Sequence, residues 1–148
     1  KKYFKYDFLA EIPEKIIYEF KDELNDKVYN RALYVSQENQ RTIKSAELIS
    51  KGLYSDFGRL MYDSHEGLKN LYEVSCDELD FMVDFSKEHK EILGSRLMGG
   101  GFGGCTINLI LKSFVDEYIN KISDEYYKKY SINLEPIVGS ISDGICVV

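Results

Sequence analysis

Five of the chain's 11 glycines fall within six consecutive residues, Gly99-Gly100-Gly101-Phe102-Gly103-Gly104. Such a run cannot sit inside a helix or a strand, because glycine has the most backbone freedom to lose on ordering and no side chain to pack. It has to be a turn, and it divides the chain into two unlike parts. Before it, apolar residues recur at helical spacing. After it, the spacing shortens to two.

In the first part, Val28, Ala32, Val35, Asn39, Ile43, Ala46 and Ile49 recur every three or four residues, which predicts one face of a long helix with a polar member, Asn39. Gly52 should end that helix by turning left-handed just past the last turn. A second stripe follows at Leu53, Phe57, Leu60, Met61, Leu68 and Leu71. Ser75-Cys76-Asp77-Glu78 has the S-x-x-E pattern of a capping box, so a helix is expected over about residues 76–89. Its apolar residues Leu79, Phe81, Met82, Val83 and Phe85 spread around the axis, as in a helix enclosed on more than one side.

Beyond the glycines, Cys105, Ile107, Leu109 and Leu111 alternate as in a strand over residues 105–112. Ser113 is the expected cap of another helix, with Val115, Tyr118, Ile119, Ile122 and Tyr126 inward. Asp116 and Glu117 in its first turn and Lys128 and Lys129 in its last match the helix dipole. Two short strands, residues 134–138 and 145–148, are expected around the Ser142-Asp143-Gly144 turn. With an extended segment before the glycines, the order is helices and then β-β-α-β-β. The expected class is α+β, a mainly antiparallel sheet covered by helices.

What can the glycine turn do? Without a Cβ and with positive φ allowed, successive backbone N–H groups can converge on an anion, phosphate being the obvious one, or let another segment pass closely. Gly99, Gly101 and Gly104 match G-x-G-x-x-G, but a dinucleotide site needs a helix immediately afterwards, and here a strand follows. No Lys-Ser or Lys-Thr pair closes the run, so it is not a Walker loop. Arg96, three residues upstream, could add positive charge beside a phosphate or pair with a carboxylate. A phosphate contact and a tight structural bend both fit the run.

Other chemistry is sparse. His65 and His89 have no neighbouring metal-ligand pattern and are expected to be structural. Glu38, Asn39 and Arg41 on one helix, and Glu78 and Asp80 on another, read as solvated or paired charges. No nucleophile, base and orienting acid can be assembled, and no metal site is expected.

Composition narrows the partners. Nineteen Lys and Arg against 25 Asp and Glu give a net charge of -6, the wrong sign for a nucleic-acid surface. No apolar run approaches the roughly 20 residues of a membrane span, and no signal peptide is visible, so a soluble, cytoplasmic domain is expected. Cys76, Cys105 and Cys146 lack any paired spacing and are expected to be buried, inert thiols. The length suits one domain, yet the first residue is Lys1 and not methionine, which suggests a piece of something longer.

Four stretches carry a family resemblance: Ser36-Gln37-Glu38-Asn39-Gln40-Arg41, Ser64-His65, residues 72–80 (Tyr-Glu-Val-Ser-Cys-Asp-Glu-Leu-Asp), and residues 94–106, which include the glycine run. In order and spacing they resemble the C-terminal half of galactokinases, within the GHMP small-molecule kinase superfamily. The run alone points to the superfamily, and the Tyr-Glu-Val-Ser-Cys stretch to galactokinases. The resemblance runs from about Val28 to the Ser142-Asp143-Gly144 turn.

It implies a two-domain enzyme that phosphorylates galactose at the anomeric hydroxyl using ATP and Mg2+. The catalytic residues would lie in an N-terminal ATP- and sugar-binding domain absent from this chain, which alone should be inactive and bind neither ATP nor Mg2+. The expected partners are that N-terminal domain, galactose and ATP. Gly99, Gly100, Gly101, Phe102, Gly103 and Gly104, with Arg96 as a weaker associate, take the place of the family's phosphate-proximal loop. There are two departures from the family: Asp77 stands where proline is common, and Met98 and Gly99 differ beside the loop. They leave galactose, N-acetylgalactosamine or another sugar open. A non-catalytic sugar or ATP sensor on the same fold is the alternative, and a free-standing scaffold domain a third.

Overall fold

The computed structural model describes residues 6–139. A 3-10 turn at Leu9–Glu11 precedes α1 (Glu14–Glu19), α2 (Asp26–Ser50) and α3 (Tyr54–Gly67), and α3 runs on into a π-helical turn at Leu68–Tyr72. Then come α4 (Asp77–Lys87), β1 (Ile92–Met98), β2 (Cys105–Ile110), a 3-10 turn at Lys112–Phe114 and α5 (Val115–Tyr130). β1 and β2 form an antiparallel hairpin, with Met98 opposite Cys105 and Arg96 opposite Ile107. The glycine run is the connection of that hairpin.

The class is therefore α+β, helices with an antiparallel sheet, and its first three late elements are the expected β-β-α. Residues 134–138 carry no strand pairing among the described residues, contrary to expectation, and Ile137 is 96% exposed there. A strand is held by its neighbour, and the partner expected for this one, residues 145–148, lies outside the described residues together with Cys146 and the Ser142-Asp143-Gly144 turn.

Local signals set the helix ends. The Asn25 side chain accepts the Val28 N–H at 3.0 Å and caps α2. At the other end Gly52 takes φ +70°, while Leu53 N–H reaches Leu48 O and Gly52 N–H reaches Ile49 O, a Schellman stop as expected. Two expected caps do not form. Ser75 donates its hydroxyl to Asp80 instead of capping α4, whose first turn is entered through Cys76 without a side-chain bond. The bond to a charged acceptor orients the Ser75 side chain toward Asp80, and Cys76, not Ser75, stands at the N-cap position. Ser113 lies within the 3-10 turn, and α5 starts at Val115.

The stripe expected along α2 is also displaced. Val28, Ile43 and Ile49 are exposed, whereas Tyr29, Ala32, Leu33, Tyr34, Ser36 and Leu48 are buried. The first half of α2 packs Tyr29, Ala32 and Leu33 with Ile12 and Ile17 in one small core. Its second half turns a polar edge, Glu38 and Arg41, toward α3 and β1. An apolar pattern cannot reveal a polar seam. The main core joins Tyr34, Leu68, Leu79, Met82, Ile92, Leu97, Phe114, Tyr118, Ile122 and Tyr126. α4 contributes Leu79, Met82 and Val83 to the interior and partly covers Phe81 and Phe85, the enclosure its sequence implied.

α3 and β1 meet at two glycines. A Cβ on Gly58 would lie 1.9 Å from the Leu93 carbonyl oxygen, and one on Gly94 would lie 2.5 Å from the Gly58 backbone. Only bare backbone on both sides permits this crossing. It brings α3 against the strand that leads into the glycine loop.

Candidate functional site

Between Met98 and Cys105 the chain reverses through residues 99–104. Gly99, Gly101, Gly103 and Gly104 have φ values of 86°, 78°, 130° and 94°, and Phe102 adopts φ 60° between them. All five of these residues thus use a conformation that side chains resist. The loop is fastened at one point: the Phe102 N–H donates to the Val74 carbonyl at 2.7 Å. Gly101 lies so close beneath that a Cβ would fall 2.1 Å from the same oxygen.

Val74 is presented by a turn of its own. Glu73, at φ 60°, ends the π-helical turn, and Val74 N–H reaches back to Leu68 O. Phe102 is 76% exposed at the loop's outer side. Among the described residues, no backbone hydrogen bond engages the N–H groups of Gly99, Gly100, Gly101, Gly103 or Gly104. Polar hydrogens concentrated on an open backbone suit an anion.

Arg96 pairs with a carboxylate, the structural option for it. Its Nη1 lies 3.1 Å from Glu38 Oε1, which also accepts the Ser64 hydroxyl at 2.6 Å. Glu38 Oε2 holds Arg41 Nε at 2.8 Å. Two arginines share one carboxylate, so the cluster keeps a surplus positive charge. Asn39, placed in the apolar stripe by its spacing, instead donates to the Ala10 carbonyl at 2.8 Å and ties α2 to the N-terminal turn.

His65 is 1% exposed and bonded at both nitrogens. Nδ1 accepts the Leu97 N–H at 3.3 Å, and Nε2 lies 3.1 Å from Asp80 Oδ1. An accepting Nδ1 requires the proton on Nε2, which donates to Asp80. Burial pushes the imidazole pKa below its ordinary value, against the pull of Asp80, so the ring is neutral. Burial disfavours the Asp80 carboxylate as well, but hydrogen bonds from Ser75 and Lys69 outweigh it and hold that pKa below the usual range. Sequence reasoning read His65 as structural and took Asp80 for a paired or solvated charge. It could not see that they meet, since 15 residues and a turn separate them.

His89 bonds the Phe85 carbonyl within the aromatic layer of α4 and α5. Cys76 is half-buried and Cys105 exposed, so the latter departs from the buried thiol expected of it. Among the described residues, no group of three or more His, Cys, Asp or Glu is placed to hold a metal ion. No described helix is long and apolar enough to cross a membrane.

The chain belongs to the GHMP kinases C terminal family, whose family model matches residues 45–128 and so takes in the helix-backed hairpin with its glycine-rich connection. Galactokinases are among its curated relatives. That of Bacillus subtilis is 39% identical over 81% of this chain and 31% of its own length. That of Clostridium acetobutylicum is 38% identical over 92% of this chain and 35% of its own length. Lactococcus lactis galactokinase, solved in complex with galactose, superimposes with a TM-score of 0.83 at 27% identity, over 88% of this chain and 34% of that one. The chain spans about a third of the length of the relatives it matches.

Proposed function

We propose that this chain is the C-terminal portion of a galactokinase, transferring the γ-phosphoryl group of ATP to the anomeric hydroxyl of galactose. Residues 99–104 would form one wall of the nucleotide cleft. The observation that carries the reading is the loop: five unengaged glycine N–H groups on an open backbone fixed at Val74, in a chain that aligns with galactokinases over most of its length.

Phosphoryl transfer asks little covalent chemistry of a protein and a great deal of positioning and charge stabilisation. Backbone N–H groups that no backbone carbonyl holds among the described residues can supply partial positive charge to a phosphate. Phe102 holds the loop to Val74 while the flanking glycines leave room for phosphate oxygens. Arg96 is a secondary member whose cluster adds positive potential, although its guanidinium is engaged by Glu38. Sugar contacts and the catalytic base would come from an N-terminal domain that packs against this one, and ATP, Mg2+ and galactose would bind in the joined protein.

The test is to express the complete reading frame and assay ATP-dependent phosphorylation across a panel of free sugars. Galactose 1-phosphate is the expected product, and the 148-residue chain alone is expected to give no turnover. A complete protein that binds sugar and ATP without turnover would overturn the reading.

A further inference from the structure

We propose that His65 and Asp80 are positioning residues for the glycine loop, tying the strand that enters it and the tip that leaves it to a single carboxylate. The inference rests on the kinase reading above for its consequence, not for its geometry. Leu97 N–H donates to His65 Nδ1, His65 Nε2–H donates to Asp80 Oδ1, and Ser75 donates its hydroxyl to the same oxygen at 2.5 Å. Ser75 follows Val74, whose carbonyl takes the Phe102 N–H. From Phe102 the chain runs back through the loop to Leu97, closing a ring. Lys69 Nζ, 3.0 Å from Asp80 Oδ2, secures the remaining oxygen.

A run of glycines has little stiffness of its own, so the position of this loop has to be imposed from outside. Apolar packing tolerates sliding, whereas hydrogen bonds are directional and lose strength quickly when bent or stretched. A buried imidazole is a costly choice for filling space beside Leu97 unless both nitrogens are engaged, and here both are. A misplacement of about 1 Å can reduce turnover about 100-fold. A ring that clamps root and tip together therefore bears directly on phosphoryl transfer.

Three variants of the complete reading frame open the ring at different points. His65→Asn keeps an acceptor where Nδ1 stood, for Leu97, but cannot reach Asp80. His65→Gln does the reverse. Ser75→Ala opens the ring outside the deep core and guards against a His65 variant that fails to fold. Hydrogen exchange of the Leu97 and Phe102 N–H groups should accelerate at least about tenfold in each variant and stay unchanged in α5. In the same proteins kcat should fall about 10- to 100-fold with the KM for sugar within about twofold of the parent. Unchanged exchange at Leu97 and Phe102 would overturn the ring, and faster exchange with parental kcat would overturn its role in positioning. A parent without kinase activity would instead count against the proposed function, and the exchange comparison would still decide whether the ring holds the loop.

Discussion

Two places in this molecule depend on glycine for opposite reasons. At the α3–β1 crossing, Gly58 and Gly94 lie outside the positive-φ region, yet a Cβ on either would drive into backbone. In the hairpin connection, Gly99, Gly103 and Gly104 have open space within 4 Å but hold φ values that L side chains resist. One site needs glycine for contact, the other for conformation. Gly101 needs both, with φ 78° and Val74 O 2.1 Å from a Cβ. The difference separates what builds the platform from what shapes the loop, and it fixes an order of mutational cost.

The largest effect is expected at Gly58→Ala. In a helix interior the change should gain about 1 kcal/mol of propensity. A methyl group 1.9 Å from a carbonyl oxygen must push α3 and β1 apart, and overpacking of this kind costs about 1–3 kcal/mol or more. Because the obstacle is backbone, the cost belongs at the top of that range, and a net loss of about 2 kcal/mol should appear in urea denaturation. Stability equal to the parent would mean that the crossing yields easily and is no constraint.

Gly101→Ala should come next. Left-handed backbone costs an L-residue about 1–2 kcal/mol, and the exposed loop can shift to relieve the contact with Val74. A loss of about 1–2 kcal/mol is expected, together with faster exchange of the Phe102 N–H as its bond to Val74 weakens. If that N–H stays protected, Val74 and Gly101 are not mechanically joined.

The contrast also explains what could be read in advance. The run at 99–104 was legible as a turn because five glycines together have few other uses, and Gly52 was legible because it follows a long helical pattern. Gly58 and Gly94 stand alone in sequence, and nothing in their neighbours says that 35 residues of intervening chain bring them into contact. The same limit hid the α2 seam, where Glu38 meets Ser64 and Arg96 across the interface and holds Arg41 beside it. Patterns of hydrophobicity report burial in an apolar environment. They are silent about polar groups satisfied across an interface, which is also why Ser75 was read as a cap rather than as a donor to Asp80. The resemblance to galactokinases takes in Glu38, Ser64, His65 and Asp80 because it compares whole stretches, including their buried polar members.

A smaller effect is expected at Gly99→Ala, where φ is 86° and no atom lies within 4 Å of the added carbon. Only the conformational term of about 1 kcal/mol should appear. D-alanine at the same position, introduced by semisynthesis, favours positive φ and should restore the loss. Failure of that rescue would show that space and not conformation limits position 99.

Gly100→Ala should perturb folding least and discriminate most. Gly100 lies outside the positive-φ region and has nothing within 4 Å, so the stability change should stay within about 0.5 kcal/mol, or favour the variant by restricting the unfolded chain. The variant keeps its N–H. If the loop serves only as a turn, turnover by the complete reading frame should be unchanged too. If phosphates lie against the bare backbone, the methyl group occupies their space, and kcat/KM for ATP should fall about tenfold, a loss of about 1.4 kcal/mol of transition-state binding. We expect the fall. Conformation alone cannot account for a loss of turnover at a position where alanine is free to adopt the native backbone, so such a result would add a third use of glycine to the two already contrasted: room for a ligand to approach.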